Sequence, residues 1–578
     1  MRWDYYVNHY SDLERQKKDS KMTYRVPSGD LFVGPSSVLG TADPPEGSKA
    51  LGILYPRAGT LGGCSAHNAM ITIYPHKSDW DGIASLTGDS SWAADKMRNY
   101  FIKFERSRYL PNGIFGHGYT GWLTVMVTDL TLVLQDLKLL SLVVAAATAM
   151  GKSILGLITT VTGLGDVLLR DINAETPGRD AAEGLYQVPI TINDYHRNSA
   201  REFILDTANA KNADGSRRYH LDVSLNTLVT KVRFDTSVTS PRAIGVDILS
   251  GPSLYSADPR SSGSNPGVSG TVNVSREVII SAGAFNTPQL LKLSGIGPAN
   301  ELQQHNVPVI VDAPGVGANL QDRYETSLAG KASSDFSLTS DCTFLHSMPD
   351  PCYDQWVNNA LAKGVYGSNG LSIGIVKKSS VAEGDPDLFI AGAPANFFGY
   401  FPGYSNFSTA DKKHWVWVVL KAHSRNNAGT VTLRSTDPRD TPLINFNSFD
   451  DGVTAGAANE KDLQAVAEGM EFARTIFKKL IPLDGSFKEV WPGKEVKGDA
   501  MNDWIKDEAW GHHACCTAKI GADDDKSAVL DSKFRVKGVQ GLRVVDASVF
   551  PKIPGFYIAV PTYMVSEKAA EVILDDAE

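Results

Sequence analysis

Residues 512 to 521 read "HHACCTAKIG", with two histidines and two cysteines inside five positions. Those residue types suit either a metal site built on imidazole and thiolate, or proton transfer at an imidazole. A tetrahedral zinc site takes its ligands from converging elements, in pairs about two to four residues apart. On an extended chain neighbouring side chains point to opposite faces, so His512 and His513 are expected to diverge, as are Cys515 and Cys516. No second ligand pair lies nearby in sequence, and no metal is expected. An imidazole with an unperturbed pKa of about 6.5 can take up a proton at neutral pH, as a reaction that strips a hydroxyl proton requires. The two cysteines then read as buried small residues.

Three segments would position such a base. In "PRAGTLGGCSAHNAM" (56 to 70) the pair Gly62-Gly63 lets the backbone approach a ligand closely, with Asn68 a short way on. "SAGAFNTPQLLKLSGIG" (281 to 297) reads as the end of a strand, a helix starting at Thr-Pro, and a Ser-Gly-Ile-Gly close. "GLRVVDASVFPKIPGFYIAVP" (541 to 561) reads as a strand that delivers Asp546 to a turn before a terminal helix. Elsewhere, "HLDVSLNTLVTKVRFD" and "GTVNVSREVIISAG" carry strand alternation, and "EKDLQAVAEGMEFARTIFKKL" carries helical spacing. The Gly-, Ser- and Pro-rich stretch 250 to 270 reads as an exposed excursion between two strands.

With 578 residues and 42% hydrophobic content, the chain supports more than one core, so two domains are expected. Net charge is −9, without a run of five basic residues, which argues against nucleic acid or an anionic membrane as partner. A small molecule is the expected partner; composition does not set an oligomeric state. "LLSLVVAAATAMG" reaches thirteen residues before Lys152, short of the roughly 20 that span a bilayer; it reads as a buried helix. Five cysteines are too few for a disulfide scaffold, although Cys342 and Cys352 could pair in an oxidising compartment. Asn273 and Asn406 begin glycosylation triplets of a kind that arises often by chance. The first twenty residues carry charge throughout and no apolar core of a signal peptide, and they are not expected to begin a fold.

From about residue 50 onward the order of these motifs resembles the glucose–methanol–choline (GMC) oxidoreductases, flavoenzymes that oxidise alcohols. Gly283 to Gly297 matches the family's second signature in full, and "GVGANLQD" (315 to 322) resembles its turn into the substrate domain. Gly62, Gly63, Ser65 and Asn68 fit its first signature, whereas Gly59, Cys64 and His67 depart from it, as Arg323 does where His is usual. The resemblance implies FAD as cofactor, with Gly62, Gly63, Ser65, His67, Asn68, Asp546 and Ala547 lining it. It implies His513 as the base that takes the alcohol proton while hydride passes to flavin N5, His512 as a secondary candidate facing the other side, and Tyr557 where a second His or Asn is usual. "IPGFYIAVP" suggests a bulky or aromatic alcohol, or equally a packed core. In the choline-oxidising branch the histidine matching His67 is bonded to the flavin; a covalent link and a merely packed ring both stand here.

The fold so implied is α/β plus α+β: a Rossmann-like FAD-binding domain from 1–125, 200–325 and 505–578, and a substrate domain on an antiparallel sheet from 126–199 and 326–504. The family's opening strand, G-x-G-x-x-G turn and helix, which hold the FAD pyrophosphate, do not precede residue 50. The chain is therefore expected to begin after that unit. Two rival expectations follow: a non-redox lyase or cyclase on the same fold, and a product with weak or no FAD binding and no activity. Localisation is not legible.

Overall fold

The computed structural model describes residues 2–152, 165, 168, 170–449 and 458–578. Two large hydrophobic cores organise them. One gathers the helices Lys77–Thr87, Ala94–Phe104, Gly283–Leu293 and Ala559–Asp575 around a short parallel pair, Val278–Ile280 with Leu542–Val544. The other lies between a six-stranded antiparallel sheet and the helices Leu137–Ala149, Ala458–Lys478 and Asp499–Glu508. That mixture is the expected α/β plus α+β class.

The sheet runs in the order Phe487–Trp491, Tyr324–Ala332, His414–Lys421, Leu388–Ala393, Ile373–Lys377 and Gly184–Tyr186. Its third strand, "HWVWVVLK", sends Trp415, Trp417 and Val419 into the helix-covered core and Leu420 into a smaller cluster on the other side, following the two-residue period of a strand. Leu137–Ala149 is the buried apolar helix expected, started by Asp136, whose carboxylate accepts from the N–H groups of Lys138 and Leu139. Among the described residues no helix is long and apolar enough to cross a membrane.

Several expectations need correction. The opening residues do begin a fold: Arg2–Val7 pairs antiparallel with Lys49–Ala58 along its whole length. Tyr5 and Val7 alternate inward onto Ile53, Tyr55 and Phe285, which holds the strand despite its charged neighbours. The helix after Ile280 starts at Gly283, ahead of the Thr-Pro pair, because the Asp546 carboxylate accepts from Gly283 N at 2.8 Å and Thr287 Oγ1 at 2.6 Å. Pro288 therefore sits inside the helix and, lacking an N–H, leaves the Ala284 carbonyl free. The Thr517 hydroxyl takes it at 2.7 Å. The 250–270 excursion is not wholly exposed: Leu254, Tyr255 and Ala257 are buried, with Tyr255 packed on Trp3 at a ring separation of 4.7 Å. As the sequence allowed, Cys342 and Cys352 form a disulfide, while Cys515 and Cys516 are fully buried, as expected, with their sulfurs side by side.

Candidate active site

Two backbone bridges shape the histidine segment. Trp510 exchanges hydrogen bonds with Glu325, at 2.8 and 2.9 Å, and Cys515 exchanges them with Gln321, at 3.0 and 3.2 Å. Residues 511–514 arch between these anchors over Asp322. One oxygen of Asp322, Oδ1, accepts from the backbone N–H of His513 at 2.8 Å; the other, Oδ2, accepts from the Tyr55 hydroxyl at 2.5 Å. That hydroxyl accepts in turn from Ala514 N at 2.8 Å, and Arg57 Nη1 donates to the His512 carbonyl at 3.0 Å. Position 511 has to be glycine, since a Cβ there would lie 2.5 Å from Asp322 Oδ2 and 2.7 Å from the Arg323 carbonyl.

The arch turns both imidazoles the same way, which corrects the expectation that they diverge. Their ring centroids are 3.9 Å apart, and Oε1 of the buried Glu325 lies 3.2 Å from His512 Nδ1 and 3.3 Å from His513 Nδ1. The angles complete neither hydrogen bond, so the three atoms face one another. The argument from alternation fails because the chain at 511–514 is an arch pinned at both ends, not a free strand. Glu325, His512 and His513 also lie within metal-ligand reach of one another, a grouping the local spacing did not reveal.

Burial governs the charges. It presses His513 well below the usual histidine range, helped by His512, Arg323 and Arg57, and His512 down to about 3, so both rings are neutral. Burial, then Asp322, raises Glu325 well above the carboxylate range and so favours its neutral form. Tyr557 is raised well above 10.0 by burial and then by Glu325; its ring meets His513 edge-on at 5.4 Å and Phe389 at 5.3 Å. Phe556 packs on Phe389 and on His76. Arg323, also buried, donates to the carbonyls of Pro554 and Gly555 and so fixes the loop that carries Tyr557. His512 stacks on Trp510 at 5.6 Å and meets Tyr400 at 5.5 Å, which makes that flank aromatic.

The 59–68 loop reaches this site through Arg57, whose Nη1 also lies 4.0 Å from Cys64 Sγ. Burial opposes ionisation of that thiol, but the charge of Arg57 and the nearby His67 outweigh it and bring the group down to about 7. Gly62, at φ +86, packs so closely on Arg201 that a Cβ would meet it at 2.8 Å. Ser65 Oγ donates to the Gly62 carbonyl at 2.7 Å, Asn68 Oδ1 accepts from Met70 N and Arg197 Nη1, and the His67 side chain is exposed. Asp546 spends its carboxylate on Gly283, Thr287 and Ser548, and the Ala547 carbonyl accepts from Cys516 N at 3.1 Å. Gly63, at φ +56, and Gly283, at φ +82, each have open space where a side chain would stand. An aromatic ring system can approach such backbone, so the residues at this end fit a flavin.

Comparison with known proteins identifies the family. Residues 48–325 and 425–566 match the two family models described as GMC oxidoreductase. The oxygen-dependent choline dehydrogenase of Brucella anthropi is 29% identical over 536 residues, covering 92% of this chain and 84% of the relative. That of Rhizobium etli is 30% identical over 525 residues, covering 90% and 82%. The chain belongs to the GMC oxidoreductase family. Among solved structures, the formate oxidase of Aspergillus oryzae, in a study of FAD modification, matches at TM-score 0.70 and 21% identity over 99% of this chain and 93% of that one, a likeness of fold alone.

Proposed function

We propose that this chain is an FAD-dependent oxidoreductase that oxidises a bulky or aromatic alcohol, with His513 as the base. The observation that carries the reading is the placement of His513: buried, neutral, held at its own backbone by Asp322, and faced by Tyr557. The oxidised flavin supplies a two-electron acceptor. His513 takes the hydroxyl proton; the Glu325 carboxyl, holding a proton of its own, adds no negative charge beside the rings. Tyr557, protonated throughout the working range, orients the substrate oxygen as a hydrogen-bond donor and leaves proton removal to the imidazole. Tyr400 and Trp510 beside His512 support an aromatic substrate over a sugar.

Gly62, Gly63, Ser65, Asn68 and Ala547 would hold the ring, and exposed His67 would be open to a covalent bond with it. Acid denaturation followed by weighing the polypeptide decides between linked and unlinked flavin. The two cores favour a flavin domain from 1–125, 200–325 and 505–578, with the substrate domain between. Anaerobic mixing of the flavin-loaded protein with a panel of aromatic and aliphatic alcohols tests the function. Loss of the flavin's visible band with an alcohol supports it; an unchanged band with turnover of substrate would point to lyase or cyclase chemistry instead.

A further inference from the structure

On the far side of the loop that carries Tyr557 lies a second group of chemical side chains. His76 ends the approach to the helix Lys77–Thr87, Asp79 stands in that helix's first turn, and His423 follows the strand His414–Lys421. Each offers one ligand atom, and all three atoms lie within 4.8 Å of one another. His423 Nε2 is 2.9 Å from Asp79 Oδ1, and the two imidazole rings are 5.0 Å apart. With bonds of about 2.0 to 2.1 Å, the edge of a tetrahedral ligand set is about 3.3 Å, so small side-chain rotations bring these atoms onto one cation.

We infer that His76, Asp79 and His423 form a binding site for a zinc-like divalent cation, an inference independent of the proposed redox reaction. A separate observation points to a missing ligand: His76 is 2% exposed, and the approach of the Asp79 backbone N–H to its side chain completes no hydrogen bond to the buried Nδ1. A buried imidazole nitrogen left unpaired costs free energy that a metal bond would recover. Asp79 is already oriented as a ligand. Its Oδ2 accepts from His76 N at 2.9 Å and Gly555 N at 3.0 Å, which leaves Oδ1 facing His423.

Access and charge agree. Asp79 and His423 open onto a cavity of about 410 Å³ whose wall also carries Glu383 and Asp385. Two of the three cations on that wall are paired, Lys421 with Asp387 at 3.4 Å and Arg425 with Asp462 at 2.8 Å and Glu383 at 3.1 Å; Lys552 is the third. Three protein ligands leave the fourth position toward the cavity. A bound cation would tie the start of one helix, the turn after a strand and, through Asp79, the 554–557 loop into one unit.

The test uses the untagged 578-residue chain, stripped with chelator and titrated with Co²⁺ as a spectroscopic stand-in. One saturable Co²⁺ per chain, with the visible absorption of a four-coordinate site, is expected. His76→Ala and His423→Asn should each weaken binding by roughly 10-fold or more, and His512→Ala should leave it unchanged. His423→Asn decides alone if the other variant fails to fold, because asparagine tolerates the +48° φ of this position. Absence of saturable uptake, uptake indifferent to His423→Asn, or uptake abolished by His512→Ala, which would place the ion at Glu325, overturns the inference.

Discussion

Asp322 holds His513 by its backbone: the N–H of His513 donates to Asp322 Oδ1 at 2.8 Å, across 191 positions of sequence. The same carboxyl group accepts from the Tyr55 hydroxyl, so the histidine arch and the first long strand meet on one side chain. Asp322→Ala would leave three donors without this acceptor, the N–H groups of His513 and Arg323 and the Tyr55 hydroxyl, at about 1–3 kcal/mol for each that stays unpaired. Lower melting temperature together with lower turnover is expected, whereas Asp322→Asn, which keeps an acceptor oxygen, should retain most of both. Equal losses in the two variants would show that the negative charge matters and not the hydrogen bond.

Removing the base should separate chemistry from cofactor binding. His513→Ala is expected to lower the rate of flavin reduction by roughly 10²-fold or more while flavin content stays the same. His512→Ala should do much less, since its ring stacks on Trp510 and meets Tyr400. Stopped-flow reduction of both variants checks the division of roles, and matching losses would dissolve it.

Glu325 should write itself into the pH dependence of stability. Burial keeps it protonated in the fold, while in the unfolded chain it ionises above about 4.5. Its contribution is complete below that value and drains away as pH rises toward the folded pKa. Glu325→Gln should therefore melt together with the parent chain at pH 4 and above it at pH 8. A constant difference across that range would contradict a raised pKa.

His117 offers the same sign with a defined window. Burial opposes its charge, but hydrogen bonds to Asp171 at 2.8 Å and Glu105 at 3.0 Å outweigh burial and lift it from 6.5 to about 9. The stabilisation is full below pH 6.5 and disappears as pH passes 9. Replacing His117 by Gln takes the charged donor away from the buried Glu105 and the part-buried Asp171, so it should destabilise the fold near pH 6 and cost far less near pH 10. Denaturant melts at the two pH values measure the difference.

Where the sequence was legible, local chemistry carried the information. The strand Leu542–Val544 ending before Asp546, and the helix Ala458–Lys478, follow from alternation and periodicity within single windows. His513 was reachable because its neighbours form a motif. Glu325, Tyr55 and Arg57 were not, since each acts on the 510–514 arch from far away in sequence and none lies in a distinctive local pattern. The side-by-side setting of His512 and His513 had the same cause: the two bridges that bend the arch belong to residues 321–325. Arg2–Val7 was missed differently. Its inward positions Tyr5 and Val7 do alternate, but a single short strand with Arg2 and Asp4 in it is readable only beside its partner Lys49–Ala58.

The strand order of the six-stranded sheet bears on how the molecule comes into being. Gly184–Tyr186 occupies one edge and Phe487–Trp491 the other, so the sheet cannot close until residue 491, some three hundred positions after its first strand, has left the ribosome. Completion of the histidine arch comes later still. During synthesis the central strand "HWVWVVLK" would therefore wait with Trp415 and Trp417 only partly covered until the helix Ala458–Lys478 arrives to complete their shielding. That interval is when a nascent chain of this design has most need of a chaperone, and slowing translation between residues 421 and 458 should raise the aggregated fraction without altering the finished protein.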